Sequence, residues 1–234
     1  GFLPDGFTVG TSSTVNTTGQ TYHYIAFRDN GVGDFDVGSF LGNGADNRAI
    51  SGLGFKPDFV HIKGDTAQLG CYRHSGSASD TTYLFDGTTQ TDHIQELLTD
   101  GFEVGTNARV NSNAVTYYYF AFKKNKDFFE TGSYTGNGVV DTEKGLIWTP
   151  ELIMIQRRTG GTNTPVYTTL AASDSGVTLR FGNVSQLTDA IKKILSFGFK
   201  LGTDVMVNAN TSVYDYFIWR NPLQTEFTRK YYMY

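Results

Sequence analysis

The stretch that decides the fold is GFEVGTNARVNSNAVTYYYFAFK, residues 101–123. The same order of Gly-Phe-x-apolar-Gly-Thr, then Val-Asn, then an aromatic run with paired tyrosines, occurs without a gap at residues 6–28 and 198–220. Copies that begin at residues 6, 101 and 198 lie too far apart for a solenoid repeat and are typical of tandem domains. Duplicated β-domains are more often structural or ligand-binding modules than enzymes.

A second pattern lies between these copies. Residues 35–44 recur as residues 129–138, each ending in Gly-Asn-Gly, and residues 55–63 recur as residues 148–156. The chain is therefore interpreted as two full copies preceded by the second half of an earlier one. The predicted divisions are an orphan half-repeat at 1–30, a first repeat at 31–126 and a second repeat at 127–234.

The orphan half-repeat has the apolar pattern of two core strands, carried by Phe7, Val9, Tyr24, Ala26 and Phe27. An uncovered aromatic hairpin in water is an aggregation hazard. We expect residues 1–30 to form a β-hairpin that is hydrogen-bonded into a sheet. Its first half would come from an adjacent domain, another polypeptide or sequence upstream. Because the chain begins with Gly rather than Met, we also expect a processed product or a fragment.

Composition limits the classes of function. Charged residues make up 18% of the chain and aromatic residues 15%, with 27 Gly against 5 Pro, which favours many strands joined by glycine turns. A net charge of −4 argues against nucleic-acid binding, which needs a basic face. Cys71 has no second cysteine for an intrachain disulfide. No apolar run approaches the ~18 residues of a membrane span.

The predicted fold is all-β, with tandem antiparallel β-sandwich domains of jelly-roll or lectin-like type and at most one short helix per repeat. Residues 91–98 and 189–195 place apolar side chains at i, i+3 and i+4, which predicts that helix in each copy. Residues 64–90 and 157–186 are polar and differ most between the copies. They are predicted to be exposed loops.

No residue pattern points to catalysis, a metal or a cofactor. The four histidines lack zinc-site spacing, and His61 aligns with Met154. Cys71 and His74 are close in sequence, but the second copy has no equivalent pair. Acidic residues around two glycines do not match an EF-hand and fit a linker better; they are Asp29, Asp34 and Asp36. We predict no enzyme.

Two sets of residues are candidates for ligand contact. Equivalent tyrosines stand two apart in every copy and form either a sugar-stacking platform or core or inter-subunit packing; they are Tyr22, Tyr24, Tyr117, Tyr119, Tyr214 and Tyr216. Loops on a rigid scaffold carry specificity. The predicted glycan-binding residues are therefore in the variable segments, namely Tyr72, Arg73, His74 and Tyr167.

The motif set resembles a repeated domain of tailed-phage virion and tail-fibre-like proteins. The resemblance rests on residues 134–138, 54–63, 100–105 and 110–111, which read Tyr-Thr-Gly-Asn-Gly, Gly-Phe-Lys-Pro-Asp-Phe-Val-His-Ile-Lys, Asp-Gly-Phe-Glu-Val-Gly and Val-Asn. It covers nearly the whole chain, although the variable segments match poorly. The family's final strand usually carries Trp, found here only at Trp219. The resemblance implies a virion structural or adhesive role without catalytic residues.

Three hypotheses follow. The first is a phage tail, spike, fibre or capsid-decoration protein, located in the virion, which contacts other virion proteins and host-surface glycans. Such components commonly assemble as trimers, and we expect the aromatic tail at 230–234 to pack against a neighbouring chain or domain. The second is a secreted bacterial carbohydrate-binding or adhesion module, and the third is an enzyme such as a depolymerase.

Overall fold

The protein is mainly β-structure. A computed structural model describes residues 2–4, 6–22, 24–27, 33–158, 164–181 and 184–220. Contacts divide the chain into two compact units, Gly1–Gly31 and Val32–Tyr234. Antiparallel strands dominate, which confirms the all-β prediction, and the described helices have only four or five residues each. None of these helices is long and apolar enough to cross a membrane.

The first unit contains one small hairpin. Strand β1 (Phe2–Leu3) pairs with β2 (Gly6–Phe7), and described residues 8–22 and 24–27 form no strand. The predicted core strand after Tyr22 is therefore wrong for residues 24–27. In the complete copies this strand is held by a first half that residues 1–31 do not contain. His23 and residues 28–30 of the predicted strand and linker lie outside the described residues, as does the tail at 230–234.

The first repeat has a large sheet and a small one. Its elements in chain order are β3 (Phe35–Leu41), β4 (Arg48–Ser51), β5 (Phe59–Gly64), β6 (Cys71–His74), β7 (Thr82–Leu84), β8 (Thr89–Gln90), β9 (Ile94–Leu98), β10 (Gly101–Val104), α1 (Ala108–Asn111) and β11 (Thr116–Phe122). The large sheet has the order β3-β11-β5-β6-β7-β8, and the small sheet has the order β4-β10-β9. All of these pairings are antiparallel.

The second repeat has the same plan. Its elements are β12 (Phe129–Thr135), β13 (Thr142–Gly145), β14 (Leu152–Arg157), β15 (Val166–Thr169), α2 (Leu170–Asp174), β16 (Leu179–Arg180), β17 (Ile191–Leu195), β18 (Gly198–Leu201), α3 (Val205–Asn208) and β19 (Val213–Trp219). The sheet orders β12-β19-β14-β15-β16 and β13-β18-β17 correspond to those of the first repeat, except that an isolated bridge between Thr178 and Leu187 replaces the β7–β8 pairing. With α2 and α3, this repeat exceeds the predicted limit of one short helix.

Each repeat encloses a core between its two sheets. In the first repeat, Val60, Ile62 and Tyr117 from the large sheet meet Phe102 and Val104 from the small sheet, and all five are fully buried. The second repeat has an equivalent cluster built from residues such as Ile153, Ile155, Tyr214, Phe199 and Leu201. Burial of these side chains on facing sheets is the arrangement of a β-sandwich.

The two large sheets also pack on one another through their outer faces. Alternation along β11 turns Tyr117 and Ala121 toward their own core, so Phe122 projects from the opposite face. Phe122 lies 5.7 Å from Trp219 between ring centroids, and Phe59 lies 5.1 Å from Phe217. The molecule from residue 33 to 220 is therefore four-layered, with the small sheets outermost.

This packing is close to two-fold symmetric. The strand registers make Phe122 equivalent to Trp219 and place Phe85 and Phe181 at equivalent positions, three residues after Thr82 and Thr178. Phe85 contacts Phe181 at 4.6 Å, so two pairs of equivalent residues meet each other. Contact between equivalent residues marks an isologous interface. The two repeats are thus related by a pseudo-two-fold axis.

The two predicted helices are strands. Residues 94–98 form β9 and residues 191–195 form β17, each paired with the strand that follows. A register shift in each pairing inserts one extra residue. Such a β-bulge turns residues three apart to the same side, and Ile94 and Leu97 both face the core. The apolar spacing that predicted a helix is the spacing of a bulged strand.

The variable segments are not simply exposed loops. Residues 64–90 include β6, β7 and β8, and residues 157–186 include β15, α2 and β16. Every residue of β6 and β7 is buried. These strands extend the large sheets into the interface between the repeats. The segments that differ most between the copies are therefore partly buried in the contact between the repeats.

Candidate functional site

Three of the predicted glycan-binding residues are buried. Tyr72, Arg73 and His74 are 0%, 7% and 2% exposed and belong to β6. The expectation of an exposed loop is therefore wrong for them, because β6 is an inner strand of the large sheet. Tyr167 is the structural equivalent of Tyr72 in β15 and is half-buried. The structure thus brings Tyr72 and His74 together and keeps Tyr167 in the other repeat.

Tyr72 and His74 contribute to a polar cluster that joins the repeats. The Tyr72 hydroxyl donates to Gln156 Oε1 at 3.1 Å. Arg158 donates two hydrogen bonds to Asp215, and His74 Nε2 lies 3.5 Å from Asp215 Oδ2. His74 Nδ1 accepts from the Gly76 amide, which places the ring proton on Nε2, a buried nitrogen without a hydrogen-bond partner among the described residues. This cluster holds the interface in register.

The His74 side chain is uncharged within this cluster near neutral pH. Burial, assisted by Arg158 and Arg73, lowers the His74 pKa to about 3. Burial also raises the pKa of Asp215, and the hydrogen-bonded Arg158 opposes that rise. Near neutral pH the charges are therefore those of Arg158 and Asp215, which pair. The imidazole serves as a hydrogen-bonding and packing group, and its ring lies 5.0 Å from Phe217.

Cys71 and His74 do not form a nucleophile pair. They are three residues apart on one strand, so their side chains point to opposite faces of the sheet. Cys71 belongs to the core of the first repeat, and burial raises the pKa of its thiol to about 12. A protonated thiol away from an imidazole has no base to activate it.

His61 has a packing role. Its ring stacks on Phe120 at 4.6 Å and lies 5.2 Å from Phe85. Burial, with a smaller contribution from Lys63, lowers the His61 pKa to about 3, so the side chain is a neutral aromatic group. The equivalent Met154 is buried in the large sheet.

The acidic linker residues also have structural partners. Asp34 accepts a hydrogen bond from Asn125, and Asp36 accepts one from the Tyr119 hydroxyl at 2.8 Å. Asp29 lies outside the described residues. Within the described ranges, no group of three or more acidic, histidine or cysteine side chains is placed to hold a metal ion.

The tyrosines of the complete repeats pack rather than present a platform. Tyr117 and Tyr214 are fully buried in their own cores. Tyr119 lies 5.2 Å edge-to-face from Phe102, and Tyr216 lies 6.0 Å from Phe199. Their rings face inward between the sheets, which supports the core-packing interpretation.

One polar cleft does open to solvent in the first repeat. It has a volume of about 370 Å³, within the range of small-ligand sites, and its lining comprises Gln68, Leu84, Gln90, His93, Asn107, Ala108 and Arg109. These residues come from the β5–β6 loop, β7, β8, the turn before β9 and the start of α1. The edge of the large sheet forms one side of the cleft, and residues 107–109 at the start of α1 form the other.

The hydrogen-bonding groups of the cleft are oriented. Arg109 Nη1 donates to Leu69 O at 2.8 Å, whereas its Nε is buried without a partner. His93 Nδ1 donates to Thr91 O at 2.7 Å, which leaves Nε2 as an acceptor. Burial lowers the His93 pKa, so the ring is neutral near pH 7. The cleft therefore combines one cation, amides and a neutral acceptor beside the apolar Leu84.

The second repeat does not have these groups. Pairing with the equivalent Thr82 and Thr178 aligns Gln90 with Leu187. The equivalent hydrogen bonds from Thr106 to Asp92 and from Thr203 to Asp189 align His93 with Ala190 and Arg109 with Met206. The fold therefore accepts apolar side chains at all three positions. Polar groups at these positions in the first repeat are not required by the fold, which makes the cleft a candidate for ligand contact.

Comparison with known proteins adds no relative. No family model, curated protein or solved structure matches this chain. The functional assignment therefore rests on the sequence pattern and the geometry described above.

Sequence reasoning missed the cleft because its lining is scattered over residues 68–109 and has no motif. The available signal was the difference between copies. At each of its three aligned polar positions, the first copy has a hydrogen-bonding side chain where the second has Leu, Ala or Met. Such a comparison needs the correct alignment across the bulged strand, and the helix prediction obscured that alignment.

Proposed function

We propose that this chain is a non-enzymatic structural and adhesive component of a bacteriophage particle, as a tail, spike, fibre or capsid-decoration protein. Its partners would be other virion proteins and further copies of itself, with a trimer as the favoured assembly. The motif resemblance is the starting point for this proposal.

The observation that carries the proposal is the buried, aromatic interface between the two repeats. Phe59, Phe122, Phe217 and Trp219 are all at most 6% exposed, and Tyr72 adds a buried hydrogen bond across the interface. Tandem domains joined by such a surface form one extended unit rather than independently moving modules. A particle component that bears load or positions a receptor-binding surface needs domains that do not move relative to one another.

Immunogold electron microscopy tests the particle assignment. Antibodies against residues 33–220 should label particles released by the host that carries this gene, at a defined position on each particle. Labelling confined to the bacterial surface would favour the secreted adhesion module instead. Absence of label from both would contradict both assignments.

The polar cleft supports glycan contact and is also the observation that favours the secreted carbohydrate-binding alternative. Sugar hydroxyls both donate and accept hydrogen bonds. The Arg109 guanidinium and the side-chain amides supply donors, while His93 Nε2 supplies an acceptor.

A glycan array with repeat-matched variants tests this contact. Arg109→Met and His93→Ala introduce the residues that the second repeat already has at these positions. We expect wild-type binding to fall at least about tenfold in each variant, the equivalent of one or two lost hydrogen bonds. The control Met206→Ala alters the equivalent site and should bind normally. No binding by the wild type would refute glycan contact in this cleft.

A further inference from the structure

The outer faces of the two small sheets have opposite charge at equivalent positions. In the first repeat, Glu103 lies between two fully buried core residues of β10, so strand alternation turns its side chain to the outer face. In the second repeat, Lys200 lies at the same position in β18, again between two fully buried residues. The central strand of each small sheet therefore presents a charge outward, negative in one repeat and positive in the other.

The next strand repeats the same charge in each case. Glu96 of β9 is the direct cross-strand partner of Glu103, and Lys193 of β17 is the partner of Lys200. Both Glu96 and Lys193 are exposed. Like charges directly opposite one another on a sheet are unfavourable. Because the fold accepts either sign at these two positions, the sandwich itself requires neither pair.

The third strand completes each row of side chains. It contributes Ala49 of β4 in the first repeat and Glu143 of β13 in the second, each paired with the central strand. Glu143 Oε1 lies 3.4 Å from Lys200 Nζ and offsets that charge. The row in the first repeat is therefore acidic, whereas the row in the second keeps Lys193 as a cation in excess.

The charges of these rows are not neutralised within the described part of the chain. No cation there lies at ion-pair distance from Glu96 or Glu103, and no carboxylate lies at that distance from Lys193. Arg73 interacts with Glu96 at longer range, but its guanidinium is buried and donates to Thr81 O at 2.8 Å. The two faces are thus available for a partner of opposite charge.

The layer order prevents the two faces from meeting within one molecule. The small sheets are the outermost of the four layers, so their outer faces lie at opposite ends of the stack. Two copies placed head to tail bring the acidic face of one against the basic face of the other. Such a contact relieves the like-charge repulsion on both sheets and disfavours the reverse orientation, in which like faces would meet.

We propose that the acidic outer face of the first repeat's small sheet binds the basic outer face of the second repeat's small sheet on another copy of this chain. The contact is heterologous because the two faces differ. Since they lie at opposite ends of the layers, it propagates as an open head-to-tail array. The contact specifies a surface for self-association and does not depend on the particle assignment.

The size of the faces sets the strength of the contact. Three short strands present roughly 200 Å² per face at the usual strand spacing and rise, whereas a stable complex buries about 800 Å² per partner. A single contact is therefore weak and sensitive to salt. Repetition along an array makes it effective, because neighbouring contacts hold each copy in place.

Sedimentation velocity of the full chain tests the contact. Measurements at about 0.01 M and about 1 M sodium chloride compare Debye lengths of about 30 Å and about 3 Å. In low salt the average mass should rise with protein concentration, and in high salt the rise should be largely lost.

Charge-reversed variants identify the surface. Glu96→Lys with Glu103→Lys gives two basic faces, and Lys193→Glu with Lys200→Glu gives two acidic faces. Each variant carries charges that the other repeat already has at these positions. Each alone should associate at least about tenfold more weakly than the wild type, and an equimolar mixture should recover association. Asp127→Lys reverses an exposed charge outside both small sheets and should behave as the wild type.

Three results would overturn the proposal. One is a wild-type mass that does not depend on concentration in low salt. Another is a mixture of the two variants that associates no more than either variant alone. The third is self-association that persists in both variants, which would place the contact on a different surface. None of these results bears on the glycan cleft or on particle labelling.

Discussion

At the residue scale, the repeated tyrosine is the clearest stability determinant. Tyr117 is fully buried, and its hydroxyl satisfies Ser112 N and Ala108 O at 2.8 and 2.6 Å. Tyr117→Phe removes both contacts and leaves a backbone donor without its partner. We expect a loss of about 1–3 kcal/mol in the free energy of unfolding, measured by urea denaturation. The adjacent, exposed Tyr118 provides the control, and Tyr118→Phe should change stability by less than about 0.5 kcal/mol.

Two histidines with lowered pKa values predict a pH dependence of stability. His61 and His74 have folded-state pKa values of about 3, below the usual 6.5 of the unfolded chain. The unfolded state therefore binds more protons between these values, and stability falls as pH drops from about 6.5 toward 3. Each group contributes up to about 1.4 kcal/mol per pH unit in this window. Arg73, Arg158 and Asp215 face His74, and the raised pKa of Asp215 partly offsets its effect.

His61→Met isolates one contribution, because the second repeat has Met154 at the equivalent position. Urea midpoints measured from pH 7 to pH 4.5 should decline less steeply in this variant than in the wild type. An unchanged slope would show that His61 titrates normally in the folded protein and is not buried as described.

At the element scale, residues 91–105 show where sequence reasoning succeeds and where it fails. The Gly-Phe motif correctly marks a strand, β10, because Gly101 opens it and Phe102 fills the core. The preceding segment was predicted to be helical, since Ile94, Leu97 and Leu98 fit a helical stripe. A bulge gives the same spacing in a strand, and periodicity alone does not distinguish the two over five residues.

Gly101 tests the account of this hairpin. Its φ of +149° is one that residues with side chains rarely adopt, and a Cβ there would collide with the carbonyl of Ile50. Gly101→Ala should therefore destabilise the protein by several kcal/mol, because strain and the lost β4–β10 pairing act together. Gly145→Ser is the matched control, since Gly145 has open space and Ser51 occupies the equivalent position in the first repeat. Similar thermal midpoints for the two variants would contradict the hairpin geometry.

At the scale of the whole molecule, the repeats in the sequence predicted equivalent β-sandwiches but not their association. Alternation along β11 and β19 places aromatic residues on both faces, as in Tyr117 to Phe122. A strand that is apolar on both faces is buried on both. The sequence does not indicate what covers the outer face of each large sheet. In the structure, the other repeat covers it. Divergence of the variable segments predicted surface exposure, but β6 and β7 within them are buried.

The most direct test of the central claim is hydrogen exchange across the interface between the repeats. Phe217 belongs to the second repeat, is fully buried and contacts Phe59, Tyr72 and His74 of the first. Phe217→Ala should cost about 3–5 kcal/mol. If the repeats form one unit, exchange should accelerate at residues 59–64 and 71–74 as well as at 213–219, and unfolding should remain a single transition. Acceleration confined to the second repeat, with two separate transitions, would contradict the account.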